Sequence, residues 1–142
     1  MRFLSEDVLI TKVSNPSTAA TGAVNGTGVD MTGYRGVMFV TSFTTANAGN
    51  YINAAESTAS TTGYTDLEGT KVASGSSDED VWVDVYGPKD QYVRCEVVRA
   101  GASTALGDIW AFQYDPISKP VDNTTTGTIT GETHVQPSTG TA

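Results

Sequence analysis

The residues of this chain that could do chemistry are few and far apart. Its 142 residues include one histidine and one cysteine, against sixteen aspartates and glutamates. A Ser-His-Asp triad needs its histidine fixed by a rigid scaffold. His134 instead lies beside Val135 and Pro137 in a threonine- and proline-rich stretch, and reads as an ordinary polar residue of an extended segment. Cys95 alternates with Val93 and Val97, which places it on the apolar face of a strand. A nucleophilic thiol wants an exposed, electropositive setting. Asp78-Glu79-Asp80 offers oxygen ligands but lacks the alternating spacing of a calcium loop, and reads as a solvated loop leading into the next strand.

The remaining constellations meet the same objection. Asp66 and Glu68 precede Gly69, and paired carboxylates can hydrolyse glycosides, yet acidic residues are common in turns for local hydrogen-bonding reasons. Gly22, Gly26 and Gly28 have no helix after them, so they do not form a phosphate-binding loop. Trp82 and Trp110, with the tyrosines, could make a sugar platform. Aromatic residues in strands more often fill a core or an interface. The expectation is therefore a protein without catalytic residues, metal ligands or a cofactor.

Charge narrows the partners. Eight basic residues stand against sixteen acidic ones, a formal net charge of −8. Phosphate recognition needs clustered Lys and Arg, but Lys12, Arg35, Lys71, Lys89, Arg94, Arg99 and Lys119 are dispersed. Nucleic acid and anionic membranes are disfavoured as partners. The opening MRFLSEDVLI lacks the apolar run of a secretory signal, and no stretch approaches the ~18 apolar residues of a membrane span. One cysteine permits no internal disulfide, which suits synthesis in a reducing cytosol.

The elements that must position these residues read as strands. Charged residues make up only 17% of the chain, and Thr, Ser, Gly and Asn take their place, a composition suited to β-surfaces and turns. Val8–Val13 reads as a strand, and Ser14–Thr32 as a loop or weak edge. Tyr34–Phe43 is apolar on both faces, as a central strand should be. Thr44–Gly49 reads as a polar loop, Tyr51–Glu56 as a short strand and Ser57–Gly63 as a second loop. In Val81–Tyr86 the valines share one face and Trp82, Asp84 and Tyr86 the other. Tyr92–Val98 alternates too, with Val93, Cys95 and Val97 inward. With the turn Gly87–Asp90 between them, these two strands are expected to form an antiparallel hairpin. Gly107–Tyr114 carries Trp110, Phe112 and Tyr114 on one face, Ile109 and Ala111 on the other. The pattern predicts an all-β, antiparallel β-sandwich, jelly-roll-like, over residues 14–114. Residues 1–13 form an N-terminal arm or first strand. Residues 115–142 hold Pro116, Pro120 and Pro137 and few large apolar side chains, and form an extended C-terminal arm.

Several runs, taken in order, resemble a known family: Tyr34-Arg-Gly-Val-Met-Phe-Val-Thr41, Asp66-Leu-Glu-Gly-Thr70, Val83-Asp-Val-Tyr86, Gln91-Tyr-Val-Arg-Cys95 and the closing His134-Val-Gln-Pro-Ser-Thr-Gly-Thr-Ala142. They are similar to the small structural proteins encoded beside major capsid genes of tailed bacteriophages, the capsid decoration or cement proteins. The likeness spans most of the chain from Tyr34 onward. It implies a β-sandwich, a homotrimer, and a place on the outer capsid surface of a virion assembled in the host cytoplasm. The partner it implies is the major capsid protein, whose subunits it would bridge. Phe3, Leu4, Ile129, His134 and Val135 in the arms are the candidate partner contacts. Two other readings remain open: a receptor- or glycan-binding module of a virion fibre or tail, and, further off, a polysaccharide-cleaving enzyme.

Overall fold

The computed structural model describes residues 3–123 and 127–141. Thr124–Thr126 and the extreme ends of both expected arms (Met1, Arg2 and Ala142) lie outside that range. One helical turn, α1 (Leu4–Asp7), precedes the strands β1 (Leu9–Ser14), β2 (Ser17–Ala20), β3 (Val24–Asn25), β4 (Val29–Asp30), β5 (Tyr34–Phe43), β6 (Asn47–Ser57), β7 (Thr65–Asp66), β8 (Val72–Ser74), β9 (Glu79–Tyr86), β10 (Tyr92–Arg99), β11 (Thr104–Leu106) and β12 (Ile109–Pro116).

They make two sheets, antiparallel throughout. In the front sheet β1 and β2 lie end to end against β12 and β11, which flank β5, and β9 lies on the far side of β5. In the back sheet β3 and β4 lie against β10, followed by β6 and then β7 and β8. This is an all-β sandwich, as the composition and alternation predict.

The inner faces meet in one core. Val37, Phe39 and Phe43 of β5, Ile52 and Ala54 of β6, Val93, Cys95 and Val97 of β10, and Ile109 and Ala111 of β12 are all fully buried. Each larger side chain among them stabilises the fold by about 1.5–3 kcal/mol through area removed from water. Among the described residues the buried side-chain polar atoms are hydrogen-bonded except Asp108 Oδ1, which lies 3.5 Å from Lys12 Nζ. Arg99 is buried among oxygens: its Nε donates to Gly22 O at 2.7 Å, and its Nη1 to Thr18 O and Thr104 O at 3.0 and 3.1 Å. Gln113 Nε2 donates to Asp30 O at 2.7 Å, tying the front sheet to the back one.

The expected hairpin does not form. β9 pairs with β5 in the front sheet, and β10 pairs with β3, β4 and β6 in the back sheet. The turn between them is an arch across the sandwich, and sheets pack only ~10 Å apart, a gap five residues span easily. Glu56 Oε2 of the back sheet holds this arch, accepting the N–H of Lys89 at 2.9 Å and of Asp90 at 3.3 Å. The inward and outward sides follow the alternation, with Val83, Val93, Cys95 and Val97 all buried.

Other boundaries move. The Ser14–Thr32 stretch contributes three edge strands, and Val29 and Met31 enter the core. β6 runs over eleven residues, well beyond Tyr51–Glu56, because Asn50 and Asn53 are buried within it with their amides hydrogen-bonded. At the other end, Asp115 and Pro116 complete β12. The chain then folds back on its own N-terminus. Val121 N–H donates to Glu6 O at 2.9 Å, Lys119 pairs with Asp7 at 2.7 Å, and Asn123 Nδ2 donates to Ser5 O and Val8 O at 2.8 Å each. Residues 127–141 form neither strand nor helix and are almost entirely exposed.

Candidate interaction surface

Cross-strand register decides which side chains share the outer face of the front sheet. Lys12, Trp110, Val40 and Trp82 form one row across its four lines of strand. Ile10, Phe112, Met38 and Asp84 form the next, and Tyr114, Gly36 and Tyr86 the third. The buried partners on β12 are Ile109, Ala111 and Gln113, so its three aromatics point outward. Trp82 is 60% and Tyr86 62% exposed. A contiguous apolar face with a polar rim marks an interaction site on a soluble protein.

The third row is built around a missing side chain. A Cβ on Gly36 would lie 2.1 Å from Tyr114 Cζ, so only glycine leaves room for that ring to lie across β5. Tyr114 stacks on Tyr86 with centroids 6.2 Å apart and planes at 29°. Both hydroxyls are anchored: Tyr114 donates to Asp84 Oδ1 at 2.8 Å and Tyr86 to Asp115 Oδ2 at 2.9 Å. Burial, then the bond to Asp84, pushes the Tyr114 phenol up to about 12. The rings are thus held rigid before any partner arrives, which lowers the entropy lost on docking.

The outer face of the back sheet is of another kind. Arg94 pairs with Glu96 and lies 4.0 Å over the Tyr64 ring. Lys71 sits 4.2 Å over Tyr51, and Asn53 Nδ2 donates to Asp66 Oδ1 at 2.9 Å. Its polar groups satisfy one another and leave no apolar platform.

The residues singled out in the sequence are scattered by comparison. Phe3 caps the N-terminal end of α1, and Leu4 beside it is 77% exposed. Ile129 is half-buried and, with Thr130 to Thr133, borders a groove lined by Ser5, Glu6 and Ile10. His134 is exposed, its Nε2 3.0 Å from Glu132, and Val135 is exposed nearby in sequence. Of the five, Ile129 alone is brought against the N-terminal segment, next to a row of the apolar face. Asp78-Glu79-Asp80 straddles the loop into β9. Glu79 Oε2 accepts backbone N–H groups of Gly75 and Ser76, and Asp78 adopts a φ of 57°. Asp66 and Glu68 do not converge on a shared cleft: Asp66 accepts from Asn53 while Glu68 is exposed. Burial raises the Cys95 thiol to about 12, so the thiolate is suppressed.

The outer-face residues Ile10, Met38, Val40, Phe112 and Tyr114 are absent from the sequence candidates. For Met38 and Val40 the signal was the two-sided apolar pattern of Tyr34–Phe43, and for Phe112 and Tyr114 it was their shared face with Trp110. A strand in a two-layer sandwich has only one face to bury inside, so apolar residues on its second face call for a cover.

A scan against protein-family models and a search of curated proteins both return no match for this chain.

Proposed function

We propose that this chain is a capsid decoration protein of a tailed bacteriophage, docking on the outer capsid surface and bridging major capsid protein subunits, as a homotrimer. The observation that carries this reading is the apolar outer face of the front sheet. Its centre is Ile10, Met38, Val40 and Phe112, aliphatic and aromatic surface of the type buried between proteins. The winding of the strands adds support. Numbering the end-to-end pieces as single strands, the two sheets have the orders 1-8-3-6 and 2-7-4-5, which supports reading the sandwich as a jelly roll, a fold used by viral shells. Ile129 to Thr133 border a groove with Ile10 at the β1 edge, which places this segment where a further subunit would meet it. Many weak identical contacts across a shell then sum to firm attachment.

Trp82 and Tyr86 are the observations that favour the rival, glycan-binding reading. Sugars need flat rings free on one face and polar groups around them. Here Tyr86 is partly covered by Tyr114, and Trp82 is paired across the sheet with Val40 rather than with a polar side chain. Co-sedimentation with undecorated capsids tests the proposal. The protein should pellet with the capsids and sediment alone as a trimer. The Val40→Ser/Trp82→Ser pair should weaken capsid binding by at least ~100-fold. A protein that stays in the supernatant with capsids but is retained on immobilised polysaccharide sinks the decoration reading and supports the glycan one.

A further inference from the structure

We propose that the free edge of β9 is a strand-addition site for an extended segment of a partner protein carrying Lys or Arg at alternate positions. The inference does not depend on the capsid reading. It rests on three observations about the sandwich's edges.

First, β9 differs from the other edges. The β1–β2 edge is broken by a bulge between Lys12 and Ser14 and by Pro16. The β3–β4 edge consists of two-residue strands, and the β7–β8 edge of two- and three-residue strands with a register shift. Such interruptions are how proteins block unwanted strand pairing. β9 has none: eight consecutive residues, Glu79 to Tyr86, run in unbroken register against β5 and pair with no other strand. It contains no proline, glycine or lysine.

Second, a groove of about 460 Å³ follows that edge, with Glu79 to Asp84 on one wall and Gly69, Thr70, Val72 and Ala73 on the other. A groove lined by six consecutive residues of one strand is a track for a peptide backbone. In strand addition the main chain supplies the affinity and alternate side-chain positions supply the specificity.

Third, the side chains specify the visitor. Asp80, Trp82 and Asp84 stand in line on the outer face, and on β5 they face Ser42, Val40 and Met38, none of them a cation. Glu79 is occupied by its own loop. Asp84 gives Oδ1 to Tyr114 and keeps Oδ2. An added strand would therefore place basic groups opposite Asp80 and Asp84, with their aliphatic stems along Trp82. Its inward residues would be small and apolar, against Val81, Val83 and Val72.

The test titrates the full-length protein with a capped octapeptide of alternating Lys and Val, its Glu–Val counterpart, and the Lys–Val peptide N-methylated at alternate residues. Backbone amide shifts and Trp82 fluorescence report binding. The Lys–Val peptide should shift the amides of β9 and leave those of β10 in place. The Glu–Val peptide should bind at least ~10-fold more weakly, and Asp80→Asn/Asp84→Asn should weaken the Lys–Val peptide by about tenfold. The N-methylated peptide, which cannot complete the ladder, should not bind. The proposal is overturned if the Lys–Val peptide leaves β9 unshifted, if the Glu–Val peptide binds equally well, or if N-methylation changes nothing.

Discussion

The two outer faces of this sandwich are made from the same alternating strands, yet they are finished in opposite ways. On the back sheet charged and aromatic groups pair within the chain: Arg94 with Glu96 and Tyr64, Lys71 with Tyr51, and the amide of Asn53 with Asp66. On the front sheet the polar contacts sit at the rim, at Lys12, Asp84 and Asp115, and the centre is left apolar. A face whose groups satisfy one another has nothing left to offer a partner. One with half-buried aliphatic side chains and the exposed rings of Trp82 and Tyr86 keeps a hydrophobic contribution of about 25 cal/mol per Å² of its exposed apolar area in reserve until something covers it.

Charging the front face should break this comparison most severely. Val40→Glu with Trp82→Glu is expected to remove most binding of a hydrophobic dye and any concentration-dependent self-association, while the melting temperature of the monomer moves little. An equivalent pair on the back face, Arg94→Ala with Lys71→Ala, should leave dye binding unchanged. If both pairs behave alike, the faces are not functionally distinct.

A subtler break comes from Gly36→Ala. The new methyl would collide with Tyr114, so the ring must leave β5 or the strand must shift, and overpacking of this kind costs about 1–3 kcal/mol. Chemical denaturation should show that loss, and Tyr114→Ala added to it should recover part of it. A Gly36→Ala protein as stable as the parent would mean that the third row is not rigid.

On the back sheet, Arg94→Ala alone removes one ion pair and one cation–π contact at a partly exposed site. The expected loss is about 1 kcal/mol or less, and a loss of several would show that this network holds the fold together.

A further effect is confined to alkaline pH. The Tyr114 phenol is raised to about 12 in the folded protein, against 10.0 ordinarily. Between those values the unfolded chain releases the proton and the folded one keeps it. The group's contribution is therefore complete below pH 10 and is lost as pH rises toward 12. Burial also raises the phenols of Tyr34 and Tyr64, so ultraviolet titration should show several late-ionising tyrosines, of which the last disappears in Tyr114→Phe, and that variant should lose stability less steeply across this range.

How legible this was in the sequence varied with the range of the interaction. β5 appears with the boundaries its apolar run predicts, and the inward residues of β9 and β10 follow from alternation alone, since a period of two is a property of single strands. Which sheet a strand joins is not. The arch from β9 to β10 looks locally like a hairpin turn, and the group that holds it, Glu56, lies far back in the chain. β6 was obscured at its start, where Asn47 to Gly49 read as the end of a polar loop and Asn50 falls between loop and strand until its amide partners are known. Val29 and Met31 were hidden among glycines and threonines for the same reason. The front face was half legible: Trp82, Asp84 and Tyr86 were grouped correctly on one side of a strand. Their alignment with Val40 and Trp110 needed the cross-strand register, which turns on single-residue offsets that no local pattern carries.

The pairing of β1 with β12 joins nearly opposite ends of the chain, and this has a consequence for how the protein is made. At about 5–20 residues per second, a ribosome that has just released β5 needs roughly 3–13 s more before β12 can follow it out. For that interval the strand with two apolar sides has neither its sheet neighbour β12 nor its core, and it is the segment most in need of a chaperone. The same delay works as a check. The three rows of the front face need β12 at their centre, so a chain interrupted before β12 never displays them.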